Sequence, residues 1–234
     1  MTPAARTRRA YFDVQTFRFL GELAANNNRG WFEQHKDRYE RCVRTPALAF
    51  IEAMAPKLAA ISIHFDAIAQ RTGGSLMRVH RDARFSRDGS PYKTNIGIQF
   101  RHERGRDVHA PGFYVHIEPR SCFVGAGVWH PESSVLRAIR REIADHPKEW
   151  GSAIQSKRFK DHFELGGESL KRPPRGFEGD HPHVEDLKRK DFIAVATIED
   201  RTVQEPRFVE TVASLLRRAS PLMEFLCGAV DLRY

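Results

Sequence analysis

The sequence predicts an α+β fold: a central, mostly antiparallel sheet of about five strands flanked by N-terminal and C-terminal helices. Three observations carry this expectation. The first third repeats apolar residues at helical spacing, the middle alternates apolar and polar residues with a period of two, and helical spacing returns after Trp129. The loops between the alternating runs, "RGRDVHAPG" and "PR", are short enough for hairpins. No repeat or long linker divides the 234 residues, so residues 11–234 are expected to form one domain behind a disordered basic tail at 1–10.

The elements follow in order. Phe17, Leu20, Leu23 and Ala24 mark a first helix that stops at Asn26-Asn27-Asn28, a C-cap followed by a new N-cap. "GWFEQHKDRYERCV" places Phe32, His35, Tyr39 and Val43 on one helical stripe. "TPALAFIEAMAPKLAAI" starts with Thr45 as N-cap and Pro46 in the first turn, and Pro56 is expected to kink or divide it. Strands are expected at Met77–Val79, in "TNIGIQFRHE", in "GFYVHIEP", in "SCFVGAGVW" with its thinning Gly125 and Gly127, and in "FIAVATI". Leu136, Ile139 and Ile143 lie on one face of a helix after Pro131, and two closing helices break at Ser220-Pro221. Between them "LKRPPRGFEGDHPHVEDLKRKD" reads as a long loop with one helical turn at 184–187.

Composition narrows the classes. The chain is 41% hydrophobic with 16 Phe, enough for a substantial core, and no apolar run approaches the ~20 residues of a membrane span. The basic start "MTPAARTRRAY" has no apolar stretch behind it, so no secretory signal is expected. Cys42, Cys122 and Cys227 are odd in number and never form a CxxC pair, which suits neither a disulfide framework nor a zinc knuckle; a reducing cytoplasm is the expected location. The formal charge of +8 favours anionic partners, whether phosphorylated small molecules, nucleotides or nucleic acid.

The charge is concentrated. "MRVHRDARFSRDGSPYKTN" carries Arg78, Arg81, Arg84, Arg87 and Lys93, with Asp82 and Asp88 to balance them. After Asp82 the chain is expected to be an irregular loop, because arginines at odd spacing cannot share one strand face. Loops converge guanidinium forks readily, and those forks match phosphate or carboxylate oxygens two at a time. If Met77, Val79, Ile96, Ile98, Phe100, Phe113, Val115 and Ile117 face inward, the period of two sends Arg78, His80, Gln99, Arg101, Tyr114, His116 and Glu118 to the opposite face. That face is rich in side chains that hydrogen-bond and bind ligands.

The expected site is therefore an anion pocket. Ligand-binding candidates are Arg78, Arg81, Arg84, Ser86, Tyr92, Lys93, Tyr114, His116, Lys171, Arg175, Asp180 and His181. His80, Asp82 and Glu118 are the candidate acid or base, since a carboxyl beside arginines stays ionised and a nearby histidine titrates near neutrality. Three alternatives stand beside this reading. The basic tail and the Arg, Phe and Tyr interleaved over 84–93 suit a nucleic-acid binder. His80, His116 and Glu118 have the types of a two-His, one-carboxylate metal site of a hydrolase. A non-catalytic interaction protein is the third. "RTGGS" lacks the lysine of a phosphate loop, no GxGxxG points to a dinucleotide fold, and Ser86 has no GxSxG turn around it, so the sequence leaves any cofactor unknown.

One stretch carries a resemblance. In "RVHRDARFSRDGSPYK", Arg81-Asp82, Arg84-Phe85-Ser86, Asp88 and Pro91-Tyr92-Lys93 resemble the signature of the family known as domain of unknown function 2461. The likeness continues in "NNNRGWFEQHKDRY" (Asn27, Trp31, Phe32, Lys36, Tyr39), "GFYVHIEP" and "GAGVWHP", and closes in "LKRPPRGFEGDHPHVEDLKRKDF". It runs from about Phe12 onward and departs only in a shorter glycine run at "GAG". It implies kinship without an activity, because the family's role is unassigned.

Overall fold

Among the described residues six strands, all antiparallel, form one sheet in the order β1-β2-β3-β4-β6-β5, where β1 is Phe65–Asp66, β2 Ile96–His102, β3 Gly112–Ile117, β4 Cys122–Val128, β5 Glu164–Gly166 and β6 Phe192–Ile198. The structure, a computed structural model, describes residues 10–82, 89–105 and 110–234. The four longer strands are those expected from the alternating runs. The two short edge strands take the sheet one beyond the expected count, and two or three residues are too few to show an alternation.

The inner face is the expected one with one correction. Ile98, Val115, Val124 and Ala196 stand in register across β2, β3, β4 and β6, as do Phe100, Phe113, Ala126 and Ala194, and all are buried. Met77, however, is not inward. Leu76 pairs with Ile98 and is buried, while the Met77 N–H donates to the Gly97 carbonyl and its side chain lies on the other face. The expected strand at 77–79 is reduced to isolated bridges. Residues 75–77 follow β2, whereas Val79 and Arg81 exchange backbone hydrogen bonds with Lys93 and Pro91. Arg78 sits where the chain changes partner, so the period of two breaks there and Leu76 and Val79 are both buried.

Among the described residues, the helices lie on the inner face. α1 (Val14–Ala25) is capped by Asp13, whose carboxylate accepts from the Gln15 and Thr16 N–H groups, and α2 (Arg29–Gln34) by Asn28, which accepts from Trp31 N. The single helical stripe expected from 30 to 43 is instead α2, α3 (Lys36–Tyr39) and a π turn at Glu40–Arg44. The π turn runs directly into α4 (Thr45–Ala59), so Thr45 is helical and no N-cap, and the Thr16 hydroxyl donates to the Cys42 carbonyl in the π turn. Pro56 does not divide α4, because it stands in the last turn, where only one helical hydrogen bond is lost. α5 (Ser133–Asp145), α6 (Pro147–Gln155), α7 (Lys157–Lys160), α8 (Val184–Leu187), α9 (Asp200–Val203), α10 (Phe208–Arg218) and α11 (Ser220–Gly228) complete the order. Phe12, Phe50 and Phe208 join the start of the chain to α4 and α10, and Trp150 joins α6 to Phe192 of β6 and Phe225 of α11. No helix is long and apolar enough to cross a membrane among the described residues.

Candidate functional site

Among the described residues no helix covers the other face of the sheet, and the residues of that face stand in three rows. Gly97, His116, Phe123 and Thr197 form one row; Gln99, Tyr114, Gly125, Val195 and Glu164 the next; Arg101, Gly112, Gly127, Ile193 and Gly166 the third. A cavity of about 420 Å³ lies over them, walled by Met77 and Gln99 on one side, Ile193 and Val195 on the other, and Trp129 and Ala110 at one end. Glycine makes the space. Gly112, Gly125 and Gly127 leave adjacent strands β3 and β4 bare. Gly127 is obligatory for a second reason: it has φ +133°, and a Cβ there would lie 1.9 Å from the Phe192 carbonyl oxygen.

The opposite end of the cavity is polar. Tyr114 lies so close over Gly97 that a Cβ at Gly97 would come within 2.7 Å of its hydroxyl. From there the tyrosine hydroxyl is 3.1 Å from His116 Nδ1, and the Asn95 amide is 3.3 Å from the same nitrogen. His116 Nε2 is 3.3 Å from Glu118 Oε2, and the Thr94 hydroxyl donates to Glu118 Oε1 at 2.6 Å. Glu118 thus holds the proton of neutral His116 on Nε2 and leaves Nδ1 to accept from Tyr114 and Asn95. The imidazole stacks on Phe123, with ring centroids 4.6 Å apart. Burial lowers the His116 pKa, with Glu118 working the other way. Burial pushes the Tyr114 hydroxyl up to about 12, against the hydrogen bond from Asn95. The chain from Tyr114 through His116 to Glu118 can relay a proton between the cavity wall and a carboxylate at its rim.

Positive charge enters through Lys93. Its neighbour Tyr92 is buried and stacked on Phe32 at 4.1 Å, and Asn27 clamps the Tyr92 backbone, donating from Nδ2 to its carbonyl at 2.9 Å and accepting from its N–H at 3.1 Å. Asn27, Phe32 and Tyr92 come from two stretches far apart in sequence and together fix where Lys93 emerges. The Lys93 ammonium is pulled below the usual lysine range by burial and then by Arg78 and Arg81. Among the described residues, the charges that move it are thus both positive.

The expected site residues separate into groups. Tyr114, His116 and Glu118 come together, with Tyr114 and His116 on the cavity wall. Arg78 and Arg81 both act on Lys93, and Asp82 follows Arg81 in the chain. Arg84 and Ser86 lie outside the described residues. His80 is exposed, 5.3 Å from the Tyr92 ring, and Tyr92 itself belongs to the core. No group of three or more His, Cys, Asp or Glu able to hold a metal forms among the described residues, so His80 does not complete a triad with His116 and Glu118. Lys171, Arg175 and Asp180 are exposed on the segment joining β5 to β6 and do not line the cavity. His181 Nδ1 accepts from His183 N. Cys122 and Cys227 are buried, and burial raises both thiols to about 12, far from a reactive thiolate.

Several residues of the cavity were not singled out by the sequence: Phe123, Trp129, Ile193, Val195, the glycine floor, and Thr94 with Asn95. The signal for the floor was present as glycines at period two in "GAG" and a glycine in "NIGIQF", a pattern that marks close approach to a strand. The family model described as conserved hypothetical protein (DUF2461) matches residues 15–225, and the chain belongs to that family. No curated protein matches the chain.

Proposed function

We propose that the chain binds an anionic, phosphate-bearing small molecule at the polar end of the open sheet face, with Lys93, Arg78 and Arg81 meeting the anion. Tyr114, His116 and Glu118 then serve to exchange a proton with it. The observation that carries this reading is the placement of Lys93. Holding an ammonium partly buried beside two guanidinium groups opposes folding, and an anion bound among them would offset that cost. Arrangements of this kind cluster at functional sites. The proton step follows from the hydrogen bonds. A ligand O–H gives its proton to the Tyr114 oxygen while Tyr114 gives its own to His116 Nδ1, leaving an imidazolium beside the Glu118 carboxylate.

Equilibrium titration with inorganic pyrophosphate tests the reading. Wild-type protein binds it, and Lys93→Gln weakens binding at least ~10-fold, the loss of one charge-assisted hydrogen bond. Equal affinity in both proteins overturns the assignment. Tighter binding to a single-stranded oligonucleotide, falling steeply with salt, points to nucleic acid as the partner instead.

A further inference from the structure

We infer that the ligand of this cleft carries a flat aromatic ring, seated on the bare backbone of Gly112, Gly125 and Gly127 between Phe123 and Trp129, so that the class bound is an aryl phosphate or a similar aryl anion. The inference rests on the anion-binding reading above and adds the other half of the ligand. Along β3 the His116 row and the Gly112 row are four residues apart, or about 14 Å at ~3.4 Å per residue. The cavity is therefore long enough for an anion at one end and a ring at the other, and 420 Å³ lies within the range of small-molecule sites.

The two ends differ in chemistry. The His116 end holds the hydrogen-bonded chain, next to the segment that carries Lys93. The Gly127 end has Ile193 in register and the Trp129 indole beyond it. Trp129 is 58% exposed, with its ring centroid 4.4 Å from that of His130. A side chain at 125 would enter the space, and the absence of side chains at 112, 125 and 127 on two paired strands leaves peptide planes bare to the cavity. A planar ring covers such a floor completely and meets the faces or edges of Phe123 and Trp129, contacts worth more than their area alone. A flexible alkyl chain would lose rotamer freedom there without that gain.

Gly125 provides the test, because its space can be filled without breaking the strand. A Cβ there meets Tyr114 Cβ at 3.7 Å and the Ala194 oxygen at 3.9 Å, ordinary contacts, so Gly125→Val projects its methyl groups into the cavity. The probes are 2-naphthyl phosphate, octyl phosphate, inorganic phosphate and 2-naphthol, titrated against wild type, Gly125→Val and Lys93→Gln. Wild type is expected to bind 2-naphthyl phosphate at least ~10-fold tighter than inorganic phosphate and tighter than octyl phosphate. Gly125→Val should remove that advantage and leave inorganic phosphate binding unchanged. An octyl phosphate that matches or beats the naphthyl ester, or a naphthyl advantage that survives Gly125→Val, overturns the aromatic seat. A 2-naphthol that binds as tightly as its phosphate, with Lys93→Gln silent, overturns the anion reading, and the aryl-anion class falls with it. A collapse of the Gly125→Val melting temperature is read through Trp129→Ala, which is expected to remove the same advantage and overturns the seat if it does not.

Discussion

Two stretches of this chain look alike on paper and behave differently in space. Residues 168–191 and residues 78–95 are both rich in basic side chains, histidine and aspartate. In the first, the carboxylates of Asp186 and Asp191 are taken up by the fold. Asp186 accepts from the Trp150 indole at 2.8 Å and from Arg189 Nε at 2.9 Å, with His183 Nδ1 at 3.3 Å. Asp191, buried, accepts from the backbone N–H groups of His130 and Glu168. Buried Arg140 donates to the Arg189 carbonyl. In the second, Arg78 and Arg81 lower the Lys93 pKa, and the Glu118 carboxylate is held by His116 and Thr94. A charged motif that satisfies itself is a fastener. One that sets a lysine beside two arginines would, on the function proposed above, be stabilised by a bound anion.

This contrast predicts a graded series. The largest effect belongs to the fastener: Asp186→Ala removes the carboxylate paired with Arg189 and the partner of the Trp150 N–H, leaves Arg189 the Leu165 and Gly166 carbonyls, and should cost about 3–5 kcal/mol in denaturant unfolding. An effect below ~1 kcal/mol would show that the acidic motif does not hold the fold. Tyr92→Ala comes next, at about 3 kcal/mol or more, because it removes a buried ring stacked on Phe32. It should also weaken anion binding by freeing Lys93. Weakened binding with full stability would mean that Tyr92 touches the ligand, not the core.

Lys93→Gln lies at the other extreme. Its pKa is lowered in the fold, so the folded protein holds the Lys93 proton more weakly than the unfolded chain. The resulting penalty is fully present below the folded pKa and fades as pH rises through it toward the ordinary lysine value. At neutral pH the Gln variant should therefore be as stable as wild type or more so, by tenths of a degree to a few degrees in melting temperature. A clear loss of stability would mean that Lys93 has a favourable partner. The smallest effects are expected at Lys171→Ala and Arg175→Ala, exposed and away from the cavity lining, within about 0.5 kcal/mol in stability. Pyrophosphate affinity should not change in either variant, and a tenfold loss would bring their loop into the site.

The sequence showed the sheet well because β3 alternates strictly between buried and half-buried residues, and β2 and β6 follow the same period over most of their length. It missed Met77 because the chain exchanges β2 for residues 91–93 as its partner at Arg78, a tertiary event that leaves no local mark. It placed Tyr114, His116 and Glu118 on one face correctly, since that follows from parity alone. The cavity was harder to see, because a cleft over a sheet depends on helices covering only the other side. The roles of Asp186 and Asp191 were hidden for a similar reason: the indole and N–H groups they hold lie at least 23 residues away in the chain, apart from their neighbours Arg189 and His183.

The central claim is that an anion completes the cluster at Lys93, and the number of protons taken up on binding measures it. Sulfate does not titrate near neutral or alkaline pH, so its calorimetric titration in two buffers of different ionisation enthalpy counts protons on the protein alone. At alkaline pH, below the ordinary lysine value of about 10.4, sulfate binding should draw a fraction of a proton onto wild-type protein, growing as pH rises toward that value and absent in Lys93→Gln. Binding with the same proton count in both proteins, or with none in wild type, would contradict the account.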